Sequence, residues 1–181
     1  MRLIIFTIIF ILGIKINAMN LLHDKNKDSL KFEDSWEFIS DRVMGGISSG
    51  KAEFVEEDDY TYLQLKGVVS TENNGGFIQV RSSYDIKNDS YEGIKLKVRG
   101  IPSEYYIHIR TSFLFLPWQY YSGKFEVTKD WKKIEIPFSK FEKSNFYQPG
   151  SFKSSEIESI GFVAFGKNFD AQLDILEAEL F

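Results

Sequence analysis

Arg81, His108 and Arg110 lie in short stretches where polar and aliphatic residues alternate. A strand through Phe77-Ile78-Gln79-Val80-Arg81 puts Phe77, Gln79 and Arg81 on one face and Ile78 and Val80 on the other. A strand from Tyr106 to Arg110 likewise sets Tyr106, His108 and Arg110 opposite Ile107 and Ile109. If these strands share a sheet, the polar faces merge into one hollow holding two guanidiniums, an imidazole and an amide, with Arg99 as a further candidate. A guanidinium fork there suits a carboxylate, an array of sugar hydroxyls or an acidic group of a partner. The competing expectation is internal, with Arg81 and Arg110 pairing with Asp41 or Glu72 and only holding loops in place.

Two glycine doublets sit close to these residues in chemistry if not in sequence. Asp41-Arg42-Val43-Met44-Gly45-Gly46 and Glu72-Asn73-Asn74-Gly75-Gly76 each place charged or amide side chains beside backbone that glycine frees for positive φ or close approach. Both loops are therefore expected to be fixed and to pack on each other. Gly45, Gly46, Gly75 and Gly76 are the structural residues, while Asp41, Arg42, Asn73 and Asn74 join Gln79, Arg81, His108 and Arg110 as candidate contacts for a ligand or partner. A third group is aromatic: Phe113, Phe115, Trp118, Tyr120 and Tyr121 surround Leu116-Pro117. Tryptophan and tyrosine give large rigid area with a polar tip, so Trp118 and Tyr121 are the expected ring contacts, although strand alternation must send about half of the rings into the core.

Catalytic constellations are sparse. Of the 2 histidines, His23 precedes the strand-rich region, so a nucleophilic triad could use only His108. With 0 cysteines and one histidine in the folded region, neither a thiolate zinc site nor a His-rich one can be built, and no metal or cofactor is expected. Glu56-Glu57-Asp58-Asp59 has consecutive carboxylates without the alternating spacing of a calcium loop and reads as a solvated hairpin end. Neither doublet has the spaced glycines and following lysine of a phosphate loop. An enzyme working through Asp41, Arg81 and His108 is the least supported of three readings, after a protein-binding and a carbohydrate-binding module.

The elements that must position these side chains are strands. Alternation marks Tyr60 to Val69, Gly93 to Arg99, Tyr106 to Arg110 and Lys133 to Phe138, and late hydrophobic runs cover Ser159 to Phe165 and Gln172 to Phe181. Turn chemistry falls at Asn88-Asp89-Ser90, Gly100-Ile101-Pro102, Lys129-Asp130 and Gln148-Pro149-Gly150, and no window carries a long helical period. Eight or more such strands imply an all-β sandwich with Ile78, Val80, Ile94, Leu96, Val98, Ile107, Ile109, Ile134 and Ile136 between its sheets.

Of the 181 residues, 1–18 read as an export signal: Met1-Arg2, an apolar run from Leu3 to Ile14, and a cleavage site at Ile16-Asn17-Ala18. The run is shorter than the roughly 20 residues of a spanning helix, so an exported, periplasmic or secreted protein without stable membrane insertion is expected, and an uncleaved anchor is the other reading. Residues 19–31 read as a polar linker and 32–181 as one domain. The 17 Phe and 9 Tyr favour a strand-rich core with rings to spare, and a net charge of -4 leaves no footprint for nucleic acid.

The sequence resembles the complex I intermediate-associated protein family. Trp36, Asp41-Arg42-Val43-Met44-Gly45-Gly46, Ser48, Glu72-Asn73-Asn74-Gly75-Gly76-Phe77 and Arg81 carry the resemblance. It continues through Tyr91, Gly93, Val98-Arg99-Gly100, Arg110, Trp131, Ile136-Pro137-Phe138, Phe141 and Ile160-Gly161-Phe162. The resemblance implies a galactose-binding-like β-sandwich of the jelly-roll type and no known reaction. It also implies an assembly-factor or chaperone role, in which the module recognises a protein partner such as an assembly intermediate of a membrane complex. A carbohydrate-binding module is the alternative that the same fold allows. The family's type member works inside mitochondria, whereas this chain reads as exported.

Overall fold

The computed structural model describes residues 18–22 and 32–181, and the expected export signal, apart from Ala18, and most of the expected linker lie outside them. Among these residues twelve strands build two six-stranded antiparallel sheets. In chain order they are β1 (Met19–Asn20), β2 (Glu37–Ser40), β3 (Ser49–Glu57), β4 (Tyr60–Val69), β5 (Phe77–Ser83) and β6 (Gly93–Gly100), then β7 (Ser103–Thr111), β8 (Tyr121–Val127), β9 (Lys132–Pro137), β10 (Glu142–Lys143), β11 (Ile157–Phe165) and β12 (Phe169–Leu180). The first sheet runs β3-β4-β12-β6-β9, with β1 completing it against the end of β12; the second runs β10-β8-β7-β11-β5-β2. Because the chain passes from sheet to sheet at most connections, the result is the expected jelly-roll sandwich.

Alternation decides what each strand buries. In β5 and β7, Ile78, Val80, Ile107 and Ile109 are fully buried while Gln79, Arg81 and Arg110 remain half-exposed on the outer face. In β12 a register shift between Ile175 and Glu177 inserts one extra residue, so inward parity moves from Leu173 and Ile175 to Ala178 and Leu180. The bulge lets a 12-residue strand keep feeding the core along its whole length. Tyr105 crosses the core from β7, and its hydroxyl lies 3.1 Å from the Gln172 carbonyl of β12, joining the two sheets. Burial pushes that phenol up to about 12. Of the predicted core, Ile134 departs: on the edge strand β9 it is only half-buried.

The expected linker does not begin at Met19. Met19 and Asn20 pair with Leu180 and Glu179, and Leu21 and Leu22 are buried in the core, so these residues belong to the sandwich. The reason is that β4 pairs with β12 only as far as Ile175, leaving the last residues of β12 an open edge that β1 covers. Asp58 and Asp59 form the tip of the β3–β4 hairpin as expected, and the adjoining Glu57 receives a hydrogen bond from Arg99.

Replacing Ile107 or Leu173 by alanine is expected to cost about 2 to 5 kcal/mol in urea denaturation. Ile134→Ala should cost clearly less, since its side chain already meets solvent.

Candidate functional site

The buried Asp41 carboxylate ties the two glycine loops together. Its side chain leaves the short helical turn Asp41–Met44 and accepts four hydrogen bonds from elsewhere in the chain. Oδ1 accepts from the Ser48 amide at 2.9 Å; Oδ2 accepts from the Ser48 hydroxyl at 2.5 Å and from the amides of Gly76 at 2.5 Å and Phe77 at 3.2 Å. A Cβ on Gly46 or Gly75 would occupy the space of this carboxyl group, which is why both doublets need glycine. Burial pushes the carboxyl up, yet the bonds from the Ser48 hydroxyl, Gly76, Phe77 and the Ser48 amide outweigh it and hold the group below its usual 3.8. Ser48 in turn accepts from the Ser70 amide at 2.9 Å, so the clamp reaches the end of β4.

The loops are packed together as expected, but by a different bond. Among the described residues neither Asp41 nor Glu72 pairs with an arginine; the Asp41 carboxylate is satisfied by backbone amides and one hydroxyl. Asp41 is therefore buried away from any ligand, a correction to its place among the contact residues. Of Gly46 and Gly76, expected to need special backbone, Gly76 has φ +135° and Gly46 is held by space alone.

Next to this clamp, a cleft of about 840 Å³ runs along the outer face of the second sheet. Strand register places three of its lining residues, His108, Arg81 and Glu37, in one row. Ser122 of β8, His108 of β7, Gly161 of β11, Arg81 of β5 and Glu37 of β2 are successive partners across five strands. At Gly161 a Cβ would press on the Gln79 side chain, which fills that gap in the floor. Val43 and Met44 wall the end beside the glycine loops, and Pro117 and Trp118 from the β7–β8 loop wall the other. Val43, Met44 and Trp118 are strongly exposed.

The cleft thus gathers Asn74, Gln79, Arg81, His108, Arg110 and Trp118 from the predicted contacts. Arg42 and Asn73 are exposed outside it, Asn73 in the left-handed region with φ 55°. Tyr121 departs from expectation: it is the first residue of β8, paired with Ile109, and its ring is buried against Phe152 at 4.6 Å. Parity puts Tyr120 on the cleft instead. Arg99 belongs to the other sheet, where its Nε donates to Asp174 at 3.1 Å and its guanidinium lies 4.5 Å over the Trp131 ring. Phe77, Phe165, Val43 and Met44 were not singled out as contacts; the sequence signal was the apolar pair held between Arg42 and Gly45.

The charges of the cleft are largely engaged. Arg81 donates to Glu37 at 2.8 Å. Arg110 donates to the carbonyls of Leu116, Pro117 and Gln119 at 2.9 Å each and of Leu114 at 3.0 Å, so it organises the β7–β8 loop. His108 is stacked on the Tyr120 ring at 3.9 Å and 14°, and its Nε2 has no hydrogen-bond partner. Burial drops its pKa to about 3, so the imidazole is neutral. Among the described residues no group of three or more potential metal ligands exists.

The chain belongs to the complex I intermediate-associated protein 30 family, whose model matches residues 23–175. No curated protein sequence matches the chain. Among solved structures, the chain is similar to the family 11 carbohydrate-binding module of the cellulosomal cellulase Lic26A-Cel5E of Clostridium thermocellum. The two share 18% identity with a TM-score of 0.69, over 91% of this chain and 94% of that one. A family 11 module from the same organism, in complex with a β-1,3-1,4-mixed-linked tetrasaccharide, gives 19% identity and a TM-score of 0.64 over 81% and 88%. A family 30 module of the cellulosomal cellulase Cel9D-Cel44B gives 11% and 0.52 over 75% and 90%. Identities this low establish the shared sandwich and nothing further.

Asp41→Ala, which orphans three buried amides and a hydroxyl, is expected to cost about 3 to 5 kcal/mol at neutral pH. Because the folded carboxyl titrates below its usual range, that contribution is present above pH 3.8 and fades as pH falls. The urea-measured gap between wild type and Asp41→Asn should therefore narrow in acid. His108 behaves in a related way: the unfolded chain takes up a proton near pH 6.5 that the folded protein refuses until about pH 3, so stability falls as pH drops through that window. His108→Phe should flatten this part of the pH–stability profile.

Proposed function

We propose that this member of the complex I intermediate-associated protein 30 family is a non-catalytic binding module whose cleft takes a segment of a protein partner. The partner class suggested by the family's description is an assembly intermediate of a membrane complex. The observation that carries the reading is the cleft on the outer face of β5, β7 and β11, walled by exposed Val43, Met44 and Trp118. Aliphatic and thioether groups adapt to varied protein side chains, and a tryptophan at the far end supplies a rigid anchor. Catalysis has little to work with here: His108 has no hydrogen-bonded carboxylate, and Asp41 is consumed by backbone amides.

A glycan reading is favoured by one specific feature, the Tyr120 ring stacked on His108 beside Gln79 and Arg81. Such a ring with flanking amide and guanidinium groups can hold a sugar ring and its hydroxyls. The likeness to carbohydrate-binding modules, one of them in complex with a tetrasaccharide, gives that reading its precedent.

Export also stands as a proposal. Met19 opens β1, so cleavage after Ala18 would leave both sheets whole. Among the described residues no helix is long and apolar enough to cross a membrane.

Affinity capture from an envelope fraction, run beside a screen of neutral β-glucans, separates the two classes. The protein reading expects a captured partner whose affinity falls about 30-fold, roughly 2 kcal/mol, in Trp118→Ala and in Met44→Asp while the melting temperature holds. Saturable glucan binding that depends on Tyr120 and Gln79, with no captured partner, would overturn it. Turnover abolished by His108→Ala in a folded protein would overturn the non-catalytic part.

A further inference from the structure

We propose that the two aromatic loops at one end of the second sheet form a reversible docking surface for an anionic lipid bilayer. The loops are residues 112–120 between β7 and β8 and residues 144–150 after β10. Register places them together, since Lys143 of β10 pairs with Tyr121 at the start of β8, and both chains then leave the sheet at that end. They are also bonded to each other. The Tyr120 amide donates to the Ser144 hydroxyl at 3.0 Å, the Ser144 amide to the Tyr120 carbonyl at 2.9 Å, and the Gln148 side-chain amide to the same carbonyl at 3.0 Å.

On this cross-braced base stand Phe113, Phe115, Leu116, Trp118, Phe146 and Tyr147, all exposed; Phe115 reaches 86%, Tyr147 79% and Phe146 74% of full exposure. Half of the large apolar residues exposed among the described ones are therefore concentrated in two short loops, where isolated exposed rings would need no explanation.

Charge selects the occupant. Each loop folds its carbonyls around a cation: Arg110 inside the first, and Lys143, which donates to the Phe146 carbonyl at 3.1 Å and the Gln148 carbonyl at 3.2 Å, inside the second. These partners are neutral, so among the described residues neither cation is directly paired with a carboxylate; Glu158 acts on Arg110 from further off, and the Arg81 cation opposes it. No acidic residue occurs between Glu104 and Glu126 or between Glu142 and Glu156, in a chain whose net charge is -4. A protein interface surrounds its rings with a polar, solvent-accessible rim. Rings in two loops that carry no carboxylate of their own, folded around Arg110 and Lys143, match the lipid interface, where aromatic side chains sit at headgroup level and basic groups meet anionic lipid. The rings are held by loop backbone rather than by a long apolar segment, so the contact is shallow and reversible.

The test uses the full chain and vesicles of phosphatidylcholine with about a third phosphatidylglycerol, against phosphatidylcholine alone, with brominated acyl chains as a quencher. Trp118 reports directly, because Trp36 is buried and Trp131 lies under Arg99 on the other sheet. The expected result is a blue shift and bromine quenching of Trp118 on the anionic vesicles, weakened several-fold by raised salt. Both should be lost in Phe115→Ser/Phe146→Ser at unchanged melting temperature. Trp118→Phe should abolish the signal without releasing the protein from sedimenting vesicles. Absence of quenching in the wild-type chain, or equal quenching in the double serine variant, would overturn the proposal. So would loops that ignore vesicles while their serine variant loses a captured protein.

Discussion

Asp41 is the constraint on which the rest of the arrangement depends. A carboxylate without solvent contact is costly unless every lone pair is used, and here backbone amides from two distant loops and one hydroxyl supply the partners. Because those donors come from Ser48, Gly76 and Phe77, the charge cannot be satisfied until the segment after β2, the start of β3 and the start of β5 are all in place. The clamp therefore joins the first sheet to the second at one end of the sandwich. It also sets the wall of the cleft, since Val43 and Met44 lie in the turn that begins at Asp41 and are pushed outward when the carboxyl turns in.

The other end of the cleft follows the same logic with the opposite charge. Arg110 gathers four carbonyls of the β7–β8 loop, as Asp41 gathers amides, and so holds Pro117 and Trp118 at the mouth. Between the two clamps, polar groups that sequence alone would assign to a ligand are occupied by scaffold. What the cleft offers freely is apolar area, the Tyr120 ring and neutral amides. That composition explains why binding, rather than proton transfer, is the function its geometry supports.

Strand parity made much of the fold legible. Tyr60 to Val69 coincides with β4, the cores of β5, β6 and β7 fell where alternation put them, as did Ile136 of β9, and the two glycine loops were expected to meet. Gln79, Arg81, His108 and Arg110 were rightly placed on one face because period two is an unambiguous signal once a strand is recognised. Beyond that signal the reading failed for identifiable reasons. Whether Asp41 meets an arginine or a set of amides is a matter of loop conformation, which no periodicity encodes. Tyr120 and Tyr121 are adjacent identical residues, and choosing the outward one required knowing that β8 begins at Tyr121. Met19 to Leu22 looked like linker because two residues are too short for any pattern, and only the unpaired end of β12 gives them a place.

His108 shows how strongly position overrides residue type. Its ring lies on the outer face of β7, between Ser122 and Gly161 in the row across the sheet, yet Tyr120 folds over it and burial keeps it neutral. A neutral imidazole stacked on a phenol is a poor proton carrier near pH 7, and its buried ring backs the Tyr120 ring. Tyr120 consequently presents its other face beside Trp118, and the Arg110 and Ser144 hydrogen bonds hold the backbone around both. Because those bonds are made to main-chain atoms, either ring can be altered without removing them, so the contribution of each to binding is separable from the stability of the sandwich beneath them.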